Sequence, residues 1–201
     1  MVVNTSRAAE YPIDPIFLER WSPRAFDGSK INDKDLFTIF EAARWAPSSF
    51  NHQPWRFVYA HRDSAQWDDL VGLLMPFNAM WARHASVLIF ILSDTMIQLP
   101  RQPAPSISHT HSFDAGAAWA FMALQAFRLG ISTHGMAGVD FERARTMLSV
   151  PTSFRVEAAI AMGRAGDKAK LPAEMQAREV PSGRKALTEV VMEGRYLTKP
   201  A

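Results

Sequence analysis

The chain has 201 residues, 48% of them hydrophobic, which suits a single domain with a sizeable core and argues against a disordered chain. It contains no cysteine, so disulfide frameworks, thiolate metal sites and cysteine nucleophiles are excluded, and a reducing, cytoplasmic setting is expected. A net charge of +2 gives no broad cationic face for nucleic acid, and no apolar run is long enough to span a membrane.

Asp14 precedes Pro15 and an apolar Ile16-Phe17-Leu18, predicting a short capped helix that ends near Arg20. The turn-like Arg20-Trp21-Ser22-Pro23-Arg24-Ala25-Phe26 compresses two guanidinium groups and a hydroxyl into five positions, a spacing that can converge on one anion or simply decorate a surface. Asn32 is a good N-cap, Asp33 and Asp35 follow in the first turn, and Leu36, Ile39, Phe40 and Ala43 share a face, predicting a helix to about Trp45. Pro47 stops it. The connection through Ser48, Ser49, Phe50, Asn51, His52 and Gln53 to Pro54 is rich in hydrogen-bonding groups, and Trp55 to Ala60 reads as a strand.

Asp63 or Ser64 is expected to start a helix that ends near Pro76, with a second helical piece from Asn78 to His84. Ala85 to Leu92 is nearly all apolar without alternation, the pattern of a central strand buried on both faces. The proline- and serine-rich stretch from 94 to 112 is expected to be a lid or a partly mobile loop. Its His109 and His111 lack further convergent ligands, so solvated or hydrogen-bonded loop histidines are the expectation rather than a metal site.

Phe113 to Leu129 carries no charge apart from Asp114 and Arg128 and is largely apolar, which predicts a helix in the domain centre or at a subunit interface. Gly130 closes it, and Ile131 to Gly138 reads as a strand running into a tight turn that exposes backbone. Asp140 caps a further helix through Leu148, and Glu157 to Gly163 is a last core strand. The polar tail after Gly166 has few apolar anchors (Leu187, Val190, Val191, Tyr196, Leu197). From Arg164 to Lys199 it carries eight Lys or Arg against five Asp or Glu, and Arg184-Lys185 could be an anion site or a solvated tail. The alternation of helices and strands predicts an α+β or α/β sheet domain.

Motifs for a serine nucleophile elbow, a phosphate loop, a dinucleotide turn and a zinc helix are absent from the chain. What remains is a set of anion-binding and amide-like groups suited to holding a polar, phosphorylated cofactor whose own chemistry does the work. Five separated segments carry a more specific likeness. They are the N-terminal signature formed by Arg20 to Phe26 with Ala42 to Trp55, then Asn78 to Trp81, Asp114 to Ala118, His134 to Asp140, and Arg184 to Glu189. Together, over roughly residues 13 to 197, they resemble the nitroreductase family of FMN-dependent oxidoreductases.

The resemblance implies an α+β fold with a central, mostly antiparallel sheet surrounded by helices and an extended C-terminal arm. One domain would cover 1–201, with about 166–201 packing on the partner subunit of a homodimer whose flavin sites lie in the interface. It implies that Arg20, Ser22, Arg184 and Lys185 hold the FMN phosphate and ribityl chain, with Trp21 beside them. Arg24 would face the pyrimidine edge of the ring, Asn78 would bond its polar part, and the backbone of Met136, Ala137 and Gly138 would reach its N5 and O4. Pro47, Ser48, Ser49, Asn51 and Gln53 would reach the partner's flavin. NADH or NADPH would be the donor and a small planar acceptor, a nitroaromatic or quinone, would receive the electrons in a ping-pong cycle. No catalytic side chain is implied, nor a metal, nucleic-acid or membrane partner.

The chain departs from the family's pattern at Trp81, where some members have lysine, at Ala137, where some have an acidic residue, and at Gly135, where relatives often have Gln. These positions touch substrate or flavin-edge contacts, so specificity does not carry over with the fold. A flavin-storage protein and a specialised reductive dehalogenase are the alternative readings.

Overall fold

The computed structural model describes residues 7–196; Leu197 and Lys199 of the expected tail, like the outermost residues of the 1–201 domain, lie outside the described residues. Four strands, β1 (Trp55–His61), β2 (Val87–Asp94), β5 (Ser132–Met136) and β6 (Phe154–Gly163), form one antiparallel sheet in the order β1-β2-β6-β5. A separate two-stranded ribbon pairs β3 (Met96–Ile97) with β4 (Ser106–Ile107). The α+β architecture read from the sequence is the one observed.

The central position of β2 explains its unbroken apolar run. Val87, Ile89 and Ile91 join a core with α2 (Asp33–Arg44) and α5 (His111–Arg128) on one face. Leu88, Phe90 and Leu92 face the opposite core, which receives α3 (Trp67–Val71), α4 (Pro76–Ala82) and α6 (Phe141–Met147). Strand pairing keeps the period of two in register across the sheet, with Ile89 opposite Ile160 and Phe90 opposite Ala159. A register shift between Ile91 and Leu92 leaves Glu157 out of the ladder, where its Oε1 accepts from the hydroxyls of Ser93 (2.5 Å) and Ser112 (2.7 Å).

The capping expectations hold for two helices. Asn32 Oδ1 accepts from Asp35 N at 2.8 Å, and Asp140 Oδ1 from Arg143 N at 3.1 Å. Two boundaries are corrected. Asp63 has φ +67° and sits in a turn, so α3 begins only at Trp67. Pro76 opens α4 rather than closing the preceding helix, because at the first helical position its missing N–H costs nothing. The 94–112 stretch carries local structure that its sequence did not predict. The β3–β4 ribbon organises it, and His111 is the first residue of α5, its Nδ1 2.8 Å from Ser93 Oγ, while His109 is exposed. Among the described residues no helix is long and apolar enough to cross a membrane.

The segment carrying the two arginines is fixed against the exit of β6. Phe26 bridges Ala165, Asp27 N donates to Arg164 O at 3.0 Å and Gly166 N to Ala25 O at 2.9 Å. A side chain at 166 has no room, since a Cβ there would lie 2.5 Å from the Phe26 carbonyl carbon. Phe26 then stacks on the buried Trp81 of α4 with ring centroids 6.3 Å apart. Gly166→Ala is therefore expected to cost about 1–3 kcal/mol, the scale of overpacking a filled site. Denaturant unfolding measures it, and an unchanged midpoint would contradict the close approach.

Candidate functional site

Two cavities that share Arg20 and Ser22 lie at the β5 edge of the sheet. The first, about 350 Å3, is apolar: α1 (Ile16–Glu19) contributes Phe17, and α5 contributes Trp119, Ala120 and Leu124, opposite Gly135 of β5. A Cβ at Gly135 would come within 3.3 Å of the Trp119 ring, so glycine here keeps the indole close to the strand. The second, about 280 Å3, is lined by Arg7, Arg20, Trp21, Ser22, Arg24, Arg178, Ser182 and Arg184. An apolar hollow thus adjoins a cluster of guanidinium groups.

The cluster concentrates positive charge. Burial, then the charges of Arg7 and Arg184, push the Arg20 guanidinium below its ordinary value, and burial followed by Arg184 does the same to Arg7. Arg20 Nη1 donates to Ser22 Oγ at 3.3 Å. Arg7 braces the assembly, donating to the carbonyl oxygens of Leu18 (3.0 Å), Arg20 (2.8 Å) and Ser182 (2.8 Å). Like charges are held together here by backbone acceptors, the arrangement of a site built for a phosphate-like anion.

Beside the cluster, Arg24 is tied to Glu179. Glu179 Oε1 accepts from Arg24 N (2.6 Å) and Ala25 N (2.8 Å), and its Oε2 lies 3.7 Å from Arg24 Nη1. His134 of β5 has Nδ1 3.0 Å from Pro23 O and its ring 4.6 Å from that of Trp81. Burial pushes the His134 imidazole below its ordinary value, against its hydrogen bond to Pro23 O, which acts in the other direction. Asn78 of α4 donates Nδ2 to Gly138 O at 3.2 Å, in a space that a Cβ at 138 would fill to within 2.4 Å of that nitrogen. Arg178 lies over Phe77, 5.9 Å from its ring centroid, and so links the cluster to α4.

The sequence-derived residues divide into three groups. Arg20, Trp21, Ser22, Arg24 and Arg184 come together in the arginine cavity. Asn78 and Gly138 meet nearby, with Met136 buried in β5 and Ala137 exposed. Lys185 instead lines an adjoining cavity of about 590 Å3 between residues 7–18 and 183–187.

Pro47, Ser48, Ser49, Asn51 and Gln53 line neither of the two site cavities. Their loop is held at the N-terminal end of α5, where Asp114 Oδ2 accepts from Ser49 N (3.2 Å) and Thr110 Oγ1 (3.1 Å). Ser48 Oγ accepts from Gln53 N at 2.9 Å. Phe50, Asn51 and Gln53 all have φ near +50°, and Phe50 is 74% exposed.

Glu179, Arg7 and Arg178 were not found from sequence. Nothing in their neighbours marks them, and each is defined by partners distant along the chain. Among the described residues there is no group of three or more His, Cys, Asp or Glu that could hold a metal ion.

A layered α+β sheet with an apolar hollow and an arginine cluster at its edge is suited to a flat molecule bearing an anionic group. Comparison with known proteins narrows this class. The Nitroreductase family model matches residues 17–75. A solved structure described as an oxidoreductase containing FMN superposes with a TM-score of 0.93 at 50% identity, covering 99% of this chain and 100% of that one. The NADH dehydrogenase of Thermus thermophilus is 28% identical over 202 residues, 87% of this chain and 92% of the relative. The major NAD(P)H-flavin oxidoreductase of Aliivibrio fischeri is 35% identical over 57 residues, 28% of this chain and 26% of that protein. The chain belongs to the nitroreductase family.

Because His134 is more readily protonated unfolded than folded, its contribution to stability is complete above its ordinary value of 6.5 and is lost as pH falls below it. His134→Gln is expected to flatten the acid-side fall in stability by up to about 1.4 kcal/mol per pH unit, the limit for one proton. Melting curves at pH 7.5 and 5 measure it, with an undiminished pH slope in the variant counting against the assignment.

Proposed function

We propose that the protein is a homodimeric, cytoplasmic FMN-dependent oxidoreductase that takes electrons from NADH or NADPH and delivers them, in a ping-pong cycle, to a small planar acceptor such as a nitroaromatic or a quinone. The observation that carries this reading is the pairing of an arginine cluster with an apolar hollow backed by Trp119 and Gly135. The two halves match FMN, a phosphate ester joined to a flat ring. When bound, FMN would supply the two-electron chemistry, and the chain would supply position and charge.

The fit rests on local detail. Arg20, Arg184 and Ser22 offer forked and short donors suited to a phosphate and a polyol chain, with Arg7 bracing them and Trp21 closing one side. Buried Trp81 Nε1 and Glu179 Oε2 have no hydrogen-bond partner among the described residues, which leaves polar atoms unspent beside Arg24 and His134. Asn78, anchored through Nδ2 on Gly138 O, can offer its other amide atom to a ligand, and the exposed Ala137 and Gly138 backbone can approach one closely. No acid or base among these side chains is required. Lys185, one cavity away, would reinforce the phosphate side from the arm.

The dimer follows from what the single chain leaves bare. Phe113 and Phe121 of α5 are exposed beside the small residues Gly116 and Ala120, and Leu187, Val190, Val191 and Tyr196 of the arm are exposed too. We read the chain as one domain over 1–201 whose segment from about 166 packs on its partner, and Pro47 to Gln53 as groups aimed at the partner's flavin. In this reading Ser49 and Asn51 act across the interface, while Ser48 keeps the loop in shape through Gln53 N.

The purified protein is expected to show an FMN absorption spectrum, released on denaturation and bleached in stopped-flow mixing with NADH or NADPH. A colourless protein that does not take up FMN would end the reading, and bound FMN bleached by neither donor would leave a flavin-binding protein without turnover. For the interface, Arg20→Ala and Asn51→Ala are each expected to weaken FMN binding by about tenfold or more, on the scale of removing charged or oriented hydrogen bonds. Unfolding and refolding the two variants together should restore tight binding to part of the population, because a mixed dimer holds one intact site. No restoration would contradict the shared site.

A further inference from the structure

Glu179 sits where an oxidoreductase reading alone would not put a carboxylate. Its side chain is 3% exposed, one oxygen takes both the Arg24 and Ala25 N–H groups, and the other faces Arg24 Nη1 at 3.7 Å with no hydrogen bond. Burying a carboxylate is costly unless donors and an opposite charge offset it, and here all three come from the Arg24 segment. The guanidinium in turn remains on the wall of the arginine cavity. Arg24 therefore presents its charge as one end of an ion pair, not as a free cation.

We propose that Glu179 sets the redox potential of the bound flavin by offsetting the charge of Arg24. This rests on the reading that FMN binds against Arg24. Reduction by two electrons adds negative charge to the flavin, which a nearby guanidinium favours and a nearby carboxylate opposes, and both act strongly in a partly buried site. With the pair intact the two fields largely cancel, and the flavin stays a stronger reductant toward its acceptor than Arg24 alone would leave it. Glu179 is a tuning residue and need not touch substrate.

The test is the midpoint potential of the FMN-loaded protein, titrated against a dye of known potential, with flavin content measured on the same samples. Glu179→Gln keeps an acceptor for the two N–H groups while removing the charge. It is expected to shift the reduction equilibrium at least tenfold toward the reduced form, about 30 mV upward for a two-electron couple. Arg24→Gln, which leaves the carboxylate unopposed, should move it the other way, and the double variant should return toward the wild-type value. Should Glu179→Gln alone fail to fold or to retain FMN, the double variant is compared with Arg24→Gln, above which it should lie by the same tenfold. A potential in Glu179→Gln equal to or below that of wild type at full flavin content overturns the proposal, as does a double variant no higher than Arg24→Gln, since a carboxylate that only holds the loop would not raise it. Wild-type protein that binds no FMN would instead defeat the functional reading on which this rests.

Discussion

The backbone pairing of residues 25–27 with 164–166 joins parts of the chain that lie far apart in sequence. It brings the arginine-bearing turn from the N-terminal region to the exit of β6, and the chain that leaves β6 continues to Glu179, Arg184 and the arm. Gly166 permits the approach, and Phe26 locks it by stacking on Trp81. Arg20 and Arg24 stand just before this junction, while Arg7 is held by its own bonds to Leu18, Arg20 and Ser182. The sheet supplies a rigid edge, and the junction determines what faces it.

The charge surplus has a structural consequence of its own. Guanidinium groups that repel one another need fixed acceptors if they are to stay together without ligand, and the carbonyl oxygens of Leu18, Arg20 and Ser182 serve that purpose for Arg7. The repulsion is relieved when an anion enters, so ligand binding and local order are linked: the same charges that lower the stability of the empty site increase the gain on filling it. Arg24 is the exception, already matched by Glu179.

Much of the fold was legible because its signals are local. The Asn32 and Asp140 caps, the unbroken apolar run of β2 and the glycine after α5 each encode an element within a few residues. The errors came where one residue supports two local outcomes. Pro76 can end a helix or begin one, and tertiary packing decided for the second. A ribbon of two residues per strand, like β3–β4, leaves no periodicity to read. In the site, Arg20, Ser22 and Arg24 were legible as a dense donor cluster, whereas Glu179 pairs across 155 positions of sequence and looked like one more charge in a polar tail. Only the family likeness singled out Asn78 and Arg184, which the structure places beside Gly138 and in the arginine cavity; composition alone would not have.

The loop after α2 adopts left-handed backbone at Phe50, Asn51 and Gln53, a conformation that costs a non-glycine residue roughly 1 kcal/mol or more. Asp114 and the Ser48 hydroxyl hold it there within one chain. Its shape is therefore settled during folding of the subunit, and association on the proposed dimer has little loop entropy left to remove. A loop ordered beforehand also tolerates no drift in where Phe50 and Asn51 point. In the proposed dimer, the folding of each chain would thus fix how accurately its neighbour's site is completed.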